Sequence, residues 1–176
     1  MDYDVLPDNT MKKEPFVYVM ITNFNERETT LQCLDLVGRL DYKNFRVILV
    51  ENSDKEDISE EIKRFYPEVI LIRNICNLGP AAGRNVGIKY ALDKECDYIF
   101  FLDNDCVVEP STLTEFVKKA EGDAGFGVVG AKTYFCDVPR IYNFGGKIDW
   151  LRGRFVDTDY GRPGSEVTKA EKEADT

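Results

Sequence analysis

The chain has 176 residues, enough for one buried core, and its 43% hydrophobic and 12% aromatic content is that of a globular protein. With 32 acidic against 23 basic residues the formal net charge is -9, which argues against a nucleic-acid partner, because that needs Lys and Arg clustered on one face. Histidine is absent, which removes Ser-His-Asp hydrolysis, Cys-His nucleophilic catalysis and His-ligated zinc, and leaves acid-base work to Asp, Glu, Lys, Tyr or Cys.

Residues 1–14 are polar and lack periodicity, so they are expected to form a loose tail. Phe16 to Ile21 reads as a first buried strand, broken by the polar turn formers Thr22-Asn23-Phe24-Asn25. Leu31, Leu34, Val37 and Leu40 recur at near-helical spacing and predict a helix over 28–40. Arg46 to Val50 is a second strand that stops at Glu51-Asn52-Ser53-Asp54. Ile58, Ile62 and Phe65 mark one face of a second helix, which Pro67 closes before a short strand over 69–72.

Asn77-Leu78-Gly79-Pro80 opens a third helix, in which Pro80 suits the first turn and Val86, Ile88 and Leu92 carry the apolar pattern. Tyr98 to Leu102 is a continuous apolar run, the signature of a strand buried on both faces, and it runs directly into Asp103-Asn104-Asp105. A helix over 112–120 and a strand over 126–129 complete the regular part. Strands alternating with helices predict an α/β fold whose mostly parallel sheet is covered by helices on both faces. The domain is expected over 15–156, and the charged stretch 157–176 is expected to be disordered or a severed connection.

In such a sheet ligands sit beyond the carboxyl ends of the strands, so the four polar clusters at 22–25, 51–54, 74–79 and 103–105 are expected on one rim. Asp103 and Asp105, two residues apart, would project to the same side of an extended segment. Their charges repel unless a divalent cation joins them, and such an ion can also bridge to phosphates. The plainer alternative is that Asp103 starts a turn and Asp105 caps a neighbouring segment.

Gly79, Gly83 and Gly87 recur every fourth residue, with Arg84-Asn85 between the last two. A helix N-terminus offers free N–H groups to an anion and Arg84 adds a bidentate donor, although the same glycines would also let a helix lie close against the sheet. No Lys-Ser or Lys-Thr follows, and G-x-G-x-x-G is missing, so nucleoside triphosphatase and dinucleotide-dehydrogenase readings lose their support. Glu51 can accept a hydrogen bond from a nucleobase N–H or a ribose hydroxyl, with Asn23 and Asn25 framing the base. Asn25 and Asp54 are equally suited to capping the helices that follow them. Gly145-Gly146 with Trp150 suggests either a sugar-stacking platform or ordinary core.

Taken in order, Thr22-Asn23-Phe24-Asn25, Val50-Glu51-Asn52-Ser53, Asn77-x-Gly79-x-x-x-Gly83-Arg84-Asn85-x-Gly87 and Leu102-Asp103-Asn104-Asp105 resemble the family 2 glycosyltransferases, and most nearly their rhamnosyltransferase-like branch. The resemblance covers about residues 16–150 and extends to Gly127-Val128-Val129-Gly130 and the segment from Gly145 to Trp150. It implies a GT-A fold and an inverting sugar transfer in polysaccharide or cell-surface glycan synthesis. The donor would be a UDP-, dTDP- or GDP-sugar and the acceptor a glycan or lipid-linked molecule.

The resemblance further implies Mg2+ or Mn2+ held by Asp105 directly, with Asp103 reaching the ribose or a metal water. Glu51 falls where the family has an Asp at the base, and Arg84 falls near the diphosphate. By the same likeness Thr22, Asn23, Asn25, Asn77, Gly79 and Asn85 belong to the donor cradle. The likeness places the family's catalytic base in a later segment, which is expected to lie beyond this chain, and the spacing of Asp149, Asp157 and Asp159 marks none of them as that base.

A non-catalytic Mg-binding α/β module, receiver-like, and a sugar nucleotidyltransferase are the alternatives. The first needs no diphosphate cradle, and the second wants a glycine- and arginine-rich loop after the first strand. The five widely spaced cysteines contain no C-x-x-C pair and read as free thiols in a reducing compartment. With no membrane-spanning run and no signal segment at its start, the chain is expected in the cytoplasm, where contact with the membrane surface stays open.

Overall fold

The computed structural model describes residues 13–157 and 159–166. The loose tail expected over 1–14 falls, as far as residue 12, outside the described residues, as do Thr158 and 167–176 of the polar C-terminal stretch. The chain forms two compact units, Met1–Val117 and Lys118–Thr176.

The first unit carries β1 (Val17–Asn23), α1 (Arg27–Val37), β2 (Phe45–Glu51), α2 (Ser59–Phe65), β3 (Ile70–Arg73), α3 (Gly79–Asp93) and β4 (Tyr98–Asp103), and α4 (Thr112–Gly122) begins in it. The four strands make one parallel sheet in the order β3-β2-β1-β4. An α/β fold with a parallel sheet is what the alternation of elements predicts. Successive crossovers β1-α1-β2 and β2-α2-β3 step one way along the sheet, and β3-α3-β4 steps back past both. With right-handed connections, opposite steps put their helices on opposite faces.

The core obeys that geometry. Val17, Val19 and Ile21 alternate with Tyr18 and Met20 along β1, as a period of two demands. The first set packs with Cys33, Leu34 and Val37 of α1, Ile62 of α2 and Leu113 and Val117 of α4. The second packs with Ile48 and Val50 of β2 and with Ile88, Tyr90 and Ala91 of α3. Fully burying each of these aliphatic side chains contributes roughly 1.5–3 kcal/mol.

Three apolar residues expected inside are not. Phe101 is 51% exposed because β4 is the edge of the four-stranded sheet and is not sandwiched within it. Phe65 is 58% exposed, with the Arg64 guanidinium over its ring, and Tyr66 packs inward in its place. Leu92 is 65% exposed, since the buried face of α3 runs through Gly83, Gly87 and Ala91.

In the second unit the strand expected over 126–129 is absent: these residues are irregular and Val128 is 90% exposed. A strand exists through its ladder, and among the described residues 126–129 pair with no other strand. Two antiparallel pairs form instead, β5 (Thr133–Tyr134) with β6 (Ile141–Asn143), and β7 (Gly146–Asp149) with β8 (Arg154–Asp157). Gly146 is required by packing, since a Cβ there would run into the Val156 carbonyl oxygen. Trp150, at the β7–β8 turn, is 74% exposed and is not core.

Asp149 pairs with Arg152 at 3.0 Å, the Asp157 carboxylate accepts from the Asp159 and Tyr160 amides, and the buried Asp159 pairs with Arg162 at 2.8 Å. All three C-terminal carboxylates therefore serve local turns of this unit.

Candidate functional site

The site is the rim where the four parallel strands of the first unit end. The chain moves outward from β1 to β2 and β3, then returns to place β4 on the other side of β1. That reversal makes the β1/β4 junction the switch point at which α/β sheets open a crevice. Thr22 lies opposite Asp103 across this junction, and Asn23 lies opposite Glu51 on the other side.

Asn23 and Glu51 are fully buried, and they form the floor of the rim. The Asn23 amide donates to Glu51 Oε2 at 2.8 Å and to Ser53 Oγ at 3.1 Å, while its oxygen accepts from the Glu26 amide and the Thr30 hydroxyl. Glu51 also accepts from the Ser53 and Ile58 amides at 2.8 and 3.4 Å. Every bond named here gives a buried polar atom the partner that burial demands. The network continues through Thr30, whose hydroxyl accepts from the Asn104 side-chain amide at 2.9 Å. One polar chain thus links the ends of β2, β1 and β4 through α1.

Asn25 has a left-handed backbone, φ 55°, and caps nothing in α1, whose cap residue is Glu26. Its oxygen accepts from the Lys55 and Glu56 amides and its amide donates to Asp54 at 2.7 Å, which ties the first rim turn to the second. Asp54 is therefore no cap of α2 either; the Asp57 carboxylate takes the Ser59 amide at 2.9 Å.

Asn52 is a second buried hub. Its amide donates to Asn77 Oδ1 at 3.0 Å and to the Gly79 carbonyl at 3.3 Å. Its oxygen accepts from the Asn74 amide at 2.9 Å and from the Leu78 backbone at 3.1 Å. Asn77 also receives the Gly79 N–H at 2.7 Å. These bonds fix the turn from which α3 starts.

The three glycines divide their work. Gly79 has φ 77° with open space around it, so the turn needs its conformation. A Cβ at Gly83 would lie 3.0 Å from Asn52 Nδ2, and one at Gly87 would lie 2.5 Å from Met20 Sδ, so both serve close helix–sheet packing. Between them Arg84 leaves the helix and its guanidinium meets the Asp103 carboxylate at 2.5 Å. Asn85 is exposed on the same helix.

The extended geometry assumed for the two aspartates holds only to Asp103. There the Cys106 amide donates to the Asp103 carbonyl at 3.1 Å and closes a turn that contains Asn104 and Asp105. Asp103 and Asp105 are exposed, whereas Asn104 is half-buried and bonded inward. Beneath them Cys33 Sγ lies 3.8 Å from the Asp103 carbonyl, and burial pushes its thiol up to about 12, with Cys106, Asp105 and Asp103 adding to the effect.

Among the described residues no three His, Cys, Asp or Glu side chains converge as a ready-made metal cage. Mg2+ and Mn2+ sites completed by phosphates do not need one, because one or two carboxylates suffice there. The exposed oxygen donors of Asp103 and Asp105 fit that class of site. The structure thus brings Asp103 together with Arg84, Asn23 with Glu51, and Asn77 with the start of α3, while Asn25 faces Asp54.

Asn52 and Asn104 lie in polar clusters expected on the rim but without a role assigned to them, and Thr30 is the residue that sequence reasoning missed. Thr30 had a readable signal, since it shares helical spacing with Cys33, Leu34 and Val37, the face that is in fact buried.

A family profile described as glycosyl transferase family 2 matches residues 18–169. The chain is 30% identical over 129 residues to an uncharacterized glycosyltransferase of Methanocaldococcus jannaschii, a match spanning 70% of this chain and 43% of that protein. It is 25% identical to a putative colanic acid biosynthesis glycosyl transferase of Escherichia coli, over 72% of this chain and 45% of the relative. It is 29% identical to the glycosyltransferase AglE of Haloferax volcanii, over 69% and 40%. The chain therefore spans less than half the length of these relatives.

Among solved structures, a mannosyltransferase of Pyrobaculum calidifontis in complex with GDP-Man and Mn2+ superposes with a TM-score of 0.56 at 23% identity, over 68% of this chain and 36% of that one. Residues 1–349 of S. aureus TarS in complex with UDP-GlcNAc superpose with a TM-score of 0.53 at 20% identity, over 66% and 38%. These likenesses establish a GT-A fold. With the family profile covering most of its length, the chain belongs to glycosyl transferase family 2.

Proposed function

We propose that residues 15–156 bind the nucleotide-diphosphate-sugar donor of an inverting glycosyltransferase that builds polysaccharide or cell-surface glycan on a glycan or lipid-linked acceptor. The observation that carries this reading is the meeting of Arg84 with Asp103 at the β1/β4 switch point, opposite Thr22. A guanidinium beside an exposed carboxylate offers one group to a diphosphate and the other to a cation or a ribose hydroxyl. Solved structures of the same fold include complexes with GDP-Man and Mn2+, with UDP-GlcNAc and with UDP. They favour sugar transfer over a receiver-like module or a nucleotidyltransferase.

In this reading Asp105 and Asp103 hold Mg2+ or Mn2+, which when bound offsets charge on the departing diphosphate. Arg84 and Asn85 approach the phosphates. The turn Asn77-Leu78-Gly79, held by Asn52, aims the first N–H groups of α3 at the same anion. Thr22 and Asn25 border the nucleoside, and Asn23 and Glu51 shape its pocket from below. The general base that takes the acceptor hydroxyl proton is assigned to no residue of this chain. The rhamnosyltransferase-like branch and a cytoplasmic location, at the membrane face, belong to the same proposal. Among the described residues no helix is long and apolar enough to cross a membrane.

Isothermal titration tests the site. UDP, dTDP or GDP should bind with Mn2+ or Mg2+ and weakly without, and Asp105→Ala should remove the metal dependence. Equal binding with and without metal would overturn the assignment of Asp103 and Asp105.

A further inference from the structure

We propose that Thr30 is a positioning residue for the Asp103-Asn104-Asp105 turn, acting through the Asn104 side chain; its bearing on catalysis rests on the donor-site reading above. Thr30 is completely buried in α1, and β2, α2, β3, α3 and β4 all lie between it and the turn it touches. A threonine inside a helix ordinarily bonds back to a carbonyl one turn earlier. This one instead donates to Asn23 Oδ1 at 3.0 Å and accepts from the Asn104 amide at 2.9 Å. Both lone-pair and proton capacities of a single hydroxyl are spent on the ends of two neighbouring strands.

The consequence lies in how the turn faces. Asn104 is drawn inward by this bond while Asp103 and Asp105, on either side, remain exposed. Asn104 is one of the two central residues of the Asp103–Cys106 turn, so holding it restrains the residues on either side. The partner of Thr30, Asn23, is itself held by Glu51 and Ser53, so the anchor is rigid. Outer-shell bonds of this kind are what hold ligating carboxylates in register.

The test compares Thr30→Val, which keeps the shape and removes the hydroxyl, with Thr30→Ser, which keeps the hydroxyl. In metal-free protein, hydrogen exchange at the Cys106 amide, which closes the turn onto Asp103, should quicken in Thr30→Val and stay near wild type in Thr30→Ser. With Mn2+ and UDP, dTDP or GDP, Thr30→Val should weaken metal-dependent binding about 10- to 100-fold, with Thr30→Ser restoring most of it.

If Thr30→Val fails to fold, Asn104→Ala removes the same bond from the partly exposed side and should reproduce both effects. Wild-type exchange and binding in either variant, or a Thr30→Val that loses thermal stability alone, would overturn the proposal. Should the wild-type protein bind no nucleoside diphosphate, the donor-site reading falls and the exchange comparison still decides whether Thr30 holds the turn.

Discussion

Arg84 of α3 and Asp103 at the end of β4 form an ion pair, Nη2 to Oδ1, of 2.5 Å on the open rim of the sheet. The two side chains are 48% and 63% exposed, so water screens the pair and its share of stability is small. Its interest lies in placement, since α3 brings a fixed cation to the strand that carries the acidic turn. Arg84→Met should leave urea-denaturation stability within about 1 kcal/mol of wild type. The same change should weaken nucleoside diphosphate binding at least about tenfold, read by titration calorimetry. Unaltered affinity would remove Arg84 from the donor site.

Asn52 should matter for stability far more than its polar character suggests. Asn52→Ala leaves the buried Asn74 amide without its acceptor and also takes one from the N–H of Leu78, a residue exposed to solvent. A buried orphaned group costs about 1–3 kcal/mol, so a loss of roughly that size is expected in denaturant unfolding. The turn that starts α3 should loosen with it, visible as faster amide exchange at Leu78 and Gly79.

Gly87→Ala separates helix propensity from packing. Alanine favours a helix by about 1 kcal/mol, but its methyl group would press on Met20 Sδ at 2.5 Å and Val50 Cγ2 at 3.0 Å, both buried. Overpacking of roughly 1–3 kcal/mol should prevail, and the melting temperature should fall. A variant more stable than wild type would show that the helix shifts away from the sheet without loss.

The cysteines should divide by depth. Cys33 is buried with its thiol pushed up to about 12, so at pH 8 it holds its proton and lacks the reactive thiolate. Mass spectrometry after iodoacetamide treatment should find Cys76 and Cys136, both exposed, alkylated first, and Cys33 only after denaturation. The unfolded thiol releases its proton near pH 8.5 while the folded one keeps it. Cys33 therefore contributes stability that is lost as pH rises from there towards 12.

The sequence by itself determined the four parallel strands of the first unit, the helices between them and their common rim. Apolar runs that stop at polar residues, separated by helical spacing, can be satisfied only by parallel strands whose ends share an edge, and Asp103, Arg84 and Gly79 were legible for that reason. What no local pattern carries is strand order. Only the tertiary structure decided that β4 stands at the edge, leaving Phe101 in solvent, and that Asn23 and Glu51 lie beneath the rim with their polar atoms shared out among Thr30, Ser53 and Ile58. Burial and hydrogen-bond partnership are properties of neighbours distant in the chain. Thr30 and Asn104, 74 residues apart, acquire their roles only when the sheet has closed between them.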